Sequence, residues 1–208
     1  MRPGSRYRPA SESPRQHETL QAGGATFRLR PFQSEDATAV IRLIDSVYQE
    51  YGDRICLENA DRDLLEIDRA YVQAGGSFFV LADDQELFGC HAVLPWMQRP
   101  NGCTFRRLYL HSSRRGQGWG RILMRRAIDW ALAAGYEQVE FWSDTRFTTA
   151  HKFFEKIGFQ RQEAIRPMDD GWVRYHEYLF RGELGTLHVA GDRAVGTDGT
   201  ARSRQRPG

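Results

Sequence analysis

The stretch SSRRGQGWGRILMRRAIDW, residues 112–130, sets three glycines at alternate positions, Gly116, Gly118 and Gly120, where a helical pattern begins. Glycine is costly at a helix start unless the backbone must take an unusual conformation or be approached closely. The first N–H groups of a helix lack intrahelical partners, and the helix dipole adds partial positive charge there. Strand, glycine turn and helix N-terminus together therefore make an anion site. Arg114, Arg115 and Arg121 add full charges beside it. The GxGxG spacing is not the GxGxxG of dinucleotide loops, and no Lys-Ser/Thr pair follows as in a Walker loop.

A second group of candidates lies in VEFWSD, residues 139–144. Strand alternation puts Glu140, Trp142 and Asp144 on one face. A carboxylate beside the Trp142 indole can have a raised pKa and act as a base. The plainer reading has Glu140 facing solvent and Asp144 capping the next helix. Tyr109 is a possible proton donor or a core residue, and His111 comes after the strand as a turn former. His151 and Tyr175 have no place that the sequence alone assigns.

Arg-x-x-Gly-x-Gly at Arg115, Gly118 and Gly120, directly after the apolar LYL, resembles the pyrophosphate loop of the GNAT acyltransferase superfamily. The likeness extends through RRLYLHSSRRGQGWGRILMRRAIDWALAAGYEQVEFW and AHKFFEKIGF, and covers residues 26–180. It implies a GNAT fold and an N-acetyltransferase that uses acetyl-CoA as acyl donor. It also implies that Leu108, Tyr109 and Leu110 pair with the pantetheine arm, beside a gap where the sheet splays and the thioester lies. Gly116, Gln117, Gly118, Trp119 and Gly120 would surround the pyrophosphate, with Arg115 and Arg121 supplying charge. The implied acceptor is a primary amine of a small molecule. A peptide or protein amine and a non-catalytic acyl-CoA-binding regulatory module are the alternatives. Sheet edges in the family often pair into homodimers.

Three family residues do not carry over. The tyrosine that protonates the thiolate in many relatives corresponds to Phe154, an asparagine that contacts the cofactor arm to Phe147, and a glutamate of the central strand to Thr104. The catalytic expectation therefore falls on Glu140 and Asp144.

The elements that must hold these residues alternate along the chain. Apolar residues at 40, 41, 44, 47, 48 and 51 mark a helix after a first strand at 26–32, with Ser34 as its expected N-cap. Residues 60–76 read as a second helix. A hairpin turning at 83–86, strands at 103–111, 138–144, 159–165 and 172–180, and helices at 118–135 and 148–158 complete an α/β chain. Its sheet is expected to be mixed and only partly parallel. The domain is expected over 25–181, with disordered arms at 1–24 and 182–208.

Composition narrows the classes. The net charge is +2, but each terminal stretch of 24 residues carries four arginines against two acids, which leaves the centre slightly acidic. Without an aromatic-interleaved basic surface, nucleic acid is not favoured as a partner. The near-absence of lysine, only Lys152 and Lys156 against 27 arginines, reads as codon bias of a GC-rich bacterial genome. Cys56, Cys90 and Cys103 lack metal-ligand spacing, so free thiols and no metal are expected. No apolar run spans a membrane and the N-terminus lacks a secretory pattern, so a cytoplasmic protein is expected.

Overall fold

The computed structural model describes residues 17–22 and 24–189. Its strands are β1 (Glu18–Ala22), β2 (Ala25–Pro31), β3 (Ser77–Ala82), β4 (Leu87–Pro95), β5 (Gly102–Leu110), β6 (Gln138–Asp144), β7 (Gln160–Asp169) and β8 (Arg174–Glu183). Its helices are α1 (Ala37–Gln49), α2 (Trp119–Ala133) and α3 (Thr148–Ile157). The strands form one sheet in the order β1-β2-β3-β4-β5-β6-β8-β7, with β5–β6 the parallel neighbours and the other pairs antiparallel. The mixed sheet flanked by helices agrees with the fold class read from the sequence. Among the described residues, no helix is long and apolar enough to cross a membrane.

The sheet divides the core in two. On one face Leu123, Met124, Ala127, Ile128 and Ala131 of α2 pack with Phe27, Phe88, Phe105, Phe141 and Phe180. On the other, Val40, Leu43 and Ile44 of α1 pack with Leu64, Tyr71, Phe78, Val80 and Cys90. Each of the larger side chains, Val, Leu, Ile, Phe or Met, contributes roughly 1.5–3 kcal/mol by leaving water, before conformational entropy is set against it. Cys56, Cys90 and Cys103 are free thiols, and burial pushes those of Cys90 and Cys103 up to about 12.

One irregularity positions the site. Cys90 pairs with Tyr109 and Ala92 with Arg106, so His91 alone faces two residues of β5, Arg107 and Leu108. Arg107, at φ 56°, is the one non-glycine residue with positive φ among those described. Such a bulge bends and twists its strand. Pairing between β5 and β6 stops at Thr104–Glu140, and beyond it the two strands part.

Several expectations are corrected. Residues 18–22, read as part of a disordered arm, form β1 on the sheet edge. At the other end β8 runs to Glu183, and Leu184 and Val189 are buried in the core, held by Arg125 Nη2 donating to the Val189 carbonyl. Apolar residues there are too few to show periodicity, yet each fills a place in a core built elsewhere. The remaining parts of both expected arms, residues 1–16, 23 and 190–208, lie outside the described residues. Ser34 begins a 3-10 turn and is not the N-cap. That position is Gln33, whose N–H donates to Asp36 at 2.8 Å, while Asp36 also pairs with Arg30. Residues 60–76 are no single helix: a 3-10 turn, Arg62–Glu66, leads into a π-helical turn, Asp68–Val72. The nearby Asp61 and Asp63 side chains turn inward to Arg107, which distorts the segment.

Candidate active site

Two connected spaces open where β5 and β6 part. The first is a channel of about 370 Å³ between α1 and the 115–121 loop, floored by Leu108, Tyr109 and Leu110 and flanked by Thr149, Ala150 and Phe153 of α3. The backbone N–H groups of residues 116–120 donate to no acceptor among the described residues. Gly116 and Gly118 hold φ of 75° and 93°, a left-handed conformation that L side chains resist. A Cβ built on either would meet nothing within 4 Å. Conformation rather than lack of room demands glycine there, and it leaves the N–H groups unpartnered. Arg121 lines the channel with no ion-pair partner among the described residues. Arg115 lines it as well, but its guanidinium grips Glu50 at 2.5 and 2.8 Å and its Nε donates to the Leu110 carbonyl at 3.0 Å. Unpartnered N–H groups, a helix N-terminus and two arginines fit a pyrophosphate.

Gln117, Trp119 and Arg114 serve the loop in other ways. The Gln117 amide donates to the Ser113 carbonyl and accepts from Trp119 Nε1, while the Trp119 ring packs in the core, its centroid 4.4 Å from that of Phe27 and tilted against it. Arg114 pairs with Asp83, and His111 Nδ1 meets Ser113 Oγ at 2.8 Å inside the turn.

The second space is a cavity of about 120 Å³ in the gap itself, which shares Leu108, Tyr109, Phe147 and Ala150 with the channel. Its inner wall is apolar, made by Phe105, Met124, Phe141 and Phe154, with His91 among them. His91 is fully buried, and burial pushes its pKa down to about 4. Its Nδ1 lies 3.3 Å from the Leu123 carbonyl, which makes Nδ1 the donor and leaves Nε2 an acceptor without a partner among the described residues. Phe154 sits 4.9 Å from Phe141 and 5.4 Å from Phe180, an aromatic in an aromatic cluster with no proton to give.

The outer wall is polar. Arg107 donates to Asp61 at 2.6 Å and to Asp63 at 2.5 Å, and all three are largely buried. Burial opposes its charge, but the surrounding phenols and carboxylates outweigh burial and hold its pKa well above the ordinary value. Tyr48 donates to Asp61 at 3.2 Å and shares a 3.1 Å hydrogen bond with Tyr109. Burial raises both phenol pKa values. Across the gap, Arg146 bridges Asp144 at 2.6 Å and Asp53 at 2.8 Å. The Asp144 hydrogen bond is the main cause of its raised pKa. The same guanidinium lies over the Tyr175 ring at 5.0 Å, and burial, then Glu177 and Asp170, raises the Tyr175 pKa.

The gap thus brings together Leu108, Tyr109 and Asp144, and the channel adds Leu110, Arg115, Gly116, Gly118, Gly120 and Arg121. Glu140 is not brought in. It accepts from Arg181 at 2.9 Å and lines a separate groove with Trp96 and Arg99. Although it shares a strand face with Asp144, it precedes the point where the strands part. Arg107, Asp53, Asp61, Asp63 and Arg146 do not stand out in the sequence. Two faint signals point to them: adjacent arginines inside an apolar strand, CTFRRLYL, and the Asp-Arg-Asp at 61–63.

Residues 40–159 match the model of the acetyltransferase (GNAT) family. The chain belongs to that family. It is 31% identical over 102 residues to N-acetyltransferase family 8 member 2 of Rattus norvegicus, covering 48% of this chain and 45% of that protein. It is also 31% identical over 100 residues to the N-acetylaspartate synthetase of Danio rerio, across 48% of this chain and 35% of the relative. This GNAT chain therefore spans less than half the length of these curated relatives. Among solved structures, a GNAT-family acetyltransferase of Staphylococcus aureus superposes with a TM-score of 0.65 at 17% identity, over 76% of this chain and 99% of that one. An acetyltransferase of Salmonella typhimurium solved with acetyl-CoA superposes at 0.60 and 17% identity, over 81% and 99%.

Proposed function

We propose that this GNAT protein transfers the acetyl group of acetyl-CoA to a primary amine of a small molecule. The observation that carries the reading is the junction of the two spaces. An anion-binding channel with a free strand edge meets, at Leu108 and Tyr109, a cavity bearing the carboxylates of Asp53, Asp144, Asp170 and Glu177. Arg107 is already committed to Asp61 and Asp63, and Arg146 alone answers both Asp53 and Asp144, so that end of the cavity favours a cation such as an alkylammonium.

In this reading the N–H groups of residues 116–120 and Arg121 hold the pyrophosphate, and the free edge of β5 pairs with the amides of the pantetheine arm. Asp144 and Asp53 orient the amine, and holding amine and thioester in line supplies much of the acceleration. The Tyr109 and Tyr175 phenols keep their protons at neutral pH and can give one to the leaving thiolate. The stacking of Arg54 on Trp172, 3.1 Å from guanidinium carbon to ring centroid, ties the segment after Asp53 to the β7–β8 turn. That tie favours a small acceptor over a threaded peptide.

Acetyl-CoA titration by calorimetry tests the channel, and thiol release over a panel of amines tests the transfer. Micromolar binding is expected, falling at least about a hundredfold in Gly118→Glu, where a carboxylate and a strained backbone meet the anion site. Thiol release with at least one small amine is expected as well. No binding at millimolar acetyl-CoA would remove the reading, and binding without turnover would replace it with a non-catalytic acyl-CoA-binding module.

A further inference from the structure

Three arginines line the cavity, and they differ in what holds their guanidinium groups. Arg107 has Asp61 and Asp63, and Arg146 has Asp53 and Asp144. Arg106 is exposed, and its side chain makes no hydrogen bond or ion pair among the described residues. Asp63, which feels its charge, is already bonded to Arg107 and Tyr71. Arg106 therefore brings an uncommitted fork of donors to the β5 bank of the gap. The β6 bank carries an imbalance of charge, because two carboxylates, Asp53 and Asp144, share the single charge of Arg146. The strands part after Thr104 and Glu140, so Arg106 and Asp144 stand on opposite banks. In charge the β5 bank is balanced, Arg106 and Arg107 against Asp61 and Asp63, and what it offers is a guanidinium with free donors, whereas the other bank is short of a cation.

We propose that the acceptor is an amino acid, with its amine on the Asp144–Asp53 bank and its free carboxylate on Arg106. This rests on the amine-acetylation reading above and names the acceptor class for that site. A guanidinium matches a carboxylate with two parallel N–H donors, which fixes orientation as well as position. The reaction leaves that carboxylate untouched. The ammonium gives one proton to water and becomes the nucleophile, the nitrogen loses a second as the new C–N bond forms and the C–S bond breaks, and the sulfur leaves as a thiolate that takes up one proton. With the carboxylate pinned on one bank, the nitrogen is presented to the gap from the other.

The test sets several α-amino acids beside their own carboxamides and decarboxylated amines, with the full chain and saturating acetyl-CoA. The carboxamide keeps the side chain and the amine and loses only the charge. The acids are expected to exceed their amides by about tenfold or more in kcat/KM, the size of one charge-assisted contact. In Arg106→Gln that ratio should fall to about one, chiefly through a higher KM for the acids, and Arg106→Lys should restore part of it as a point charge. Equal use of acid and amide by the unaltered protein overturns the proposal, and so does a preference that survives Arg106→Gln. Should acetyl-CoA bind while no acceptor turns over, the acetylation reading fails separately. Calorimetry of acid against amide on the CoA-saturated chain then decides this one, with tighter binding of the acid supporting it and equal binding overturning it.

Discussion

The channel and the cavity share a floor at Leu108 and Tyr109 but are built in opposite ways. The channel is made largely by one continuous stretch, residues 108–121, and the polar groups it offers are backbone N–H groups and a strand edge. The cavity is made by side chains from distant parts of the chain. Arg107 meets Asp61 and Asp63 across 46 and 44 residues, and Arg146 meets Asp53 across 93. The first needs only local geometry, which glycines and a helix start provide. The second needs the fold complete, because none of its charges tolerates burial until its partner arrives.

The difference is sharpest at Arg107. Its replacement by methionine keeps much of the volume but strands two inward-facing carboxylates, at an expected loss of about 3–5 kcal/mol. The matching change in the channel, Arg121→Met, removes an exposed charge and should alter stability by less than about 0.5 kcal/mol. Urea unfolding of both variants makes the comparison, and similar losses would dissolve it. Acid provides a second check. Burial raises the Asp63 carboxyl pKa, but Arg107 and the Tyr71 hydroxyl more than offset it and hold it below the ordinary value of 3.8. This contribution is present above that ordinary value and is lost as pH falls through the lower folded one. Without Arg107 the offset is gone, and protonation of Asp63 then favours the folded chain. The gap between the two proteins should therefore narrow from pH 7 to pH 4.

His91 marks the inner limit of the cavity, where side-chain chemistry gives way to core. Burial lowers its pKa from 6.5 to about 4, so the unfolded chain takes up a proton first as pH falls. The stability due to the neutral ring is intact above pH 6.5 and is lost progressively down to about pH 4, with about 2 kcal/mol gone by pH 5. His91→Leu should remove that part of the slope, as read from unfolding free energies at pH 7 and pH 5. An unchanged slope in the variant would mean that the ring is solvated and that the cavity continues past it.

Legibility in the sequence divides along the same line. The order of the elements from residue 25 to 181 and the β6 span come from local periodicity. The glycine loop comes from spacing over six residues. The bulge at Arg107 left no such trace, since a positive φ at an arginine opposes local preference and is held by ion pairs made elsewhere. Glu140 and Asp144 share a strand face, and alternation cannot tell which of them lies beyond the point where β5 leaves β6. Segment 60–76 has helical periodicity, but its short turns obey the demands of Asp61 and Asp63 on Arg107. Legibility ended where a residue's place depended on a partner tens of positions away.

Glu50 is where the two constructions touch. It comes directly after α1, 65 residues away in sequence, yet it holds Arg115 of the glycine loop by two hydrogen bonds. Both side chains are about one-third exposed, at 31% for Glu50 and 37% for Arg115, so solvent screens the pair. Such pairs contribute from nothing to about 1 kcal/mol. A pyrophosphate in the channel must compete with Glu50 for the Arg115 guanidinium. Glu50→Gln keeps the shape and weakens the competitor, so acetyl-CoA should bind about two- to fivefold more tightly, while urea unfolding shifts by less than about 1 kcal/mol. The gain should shrink at high salt, where the competition is already screened. Weaker binding in Glu50→Gln would reverse the assignment: the pair would then be the brace that positions Arg115, and the channel would depend on a long-range partner as the cavity does.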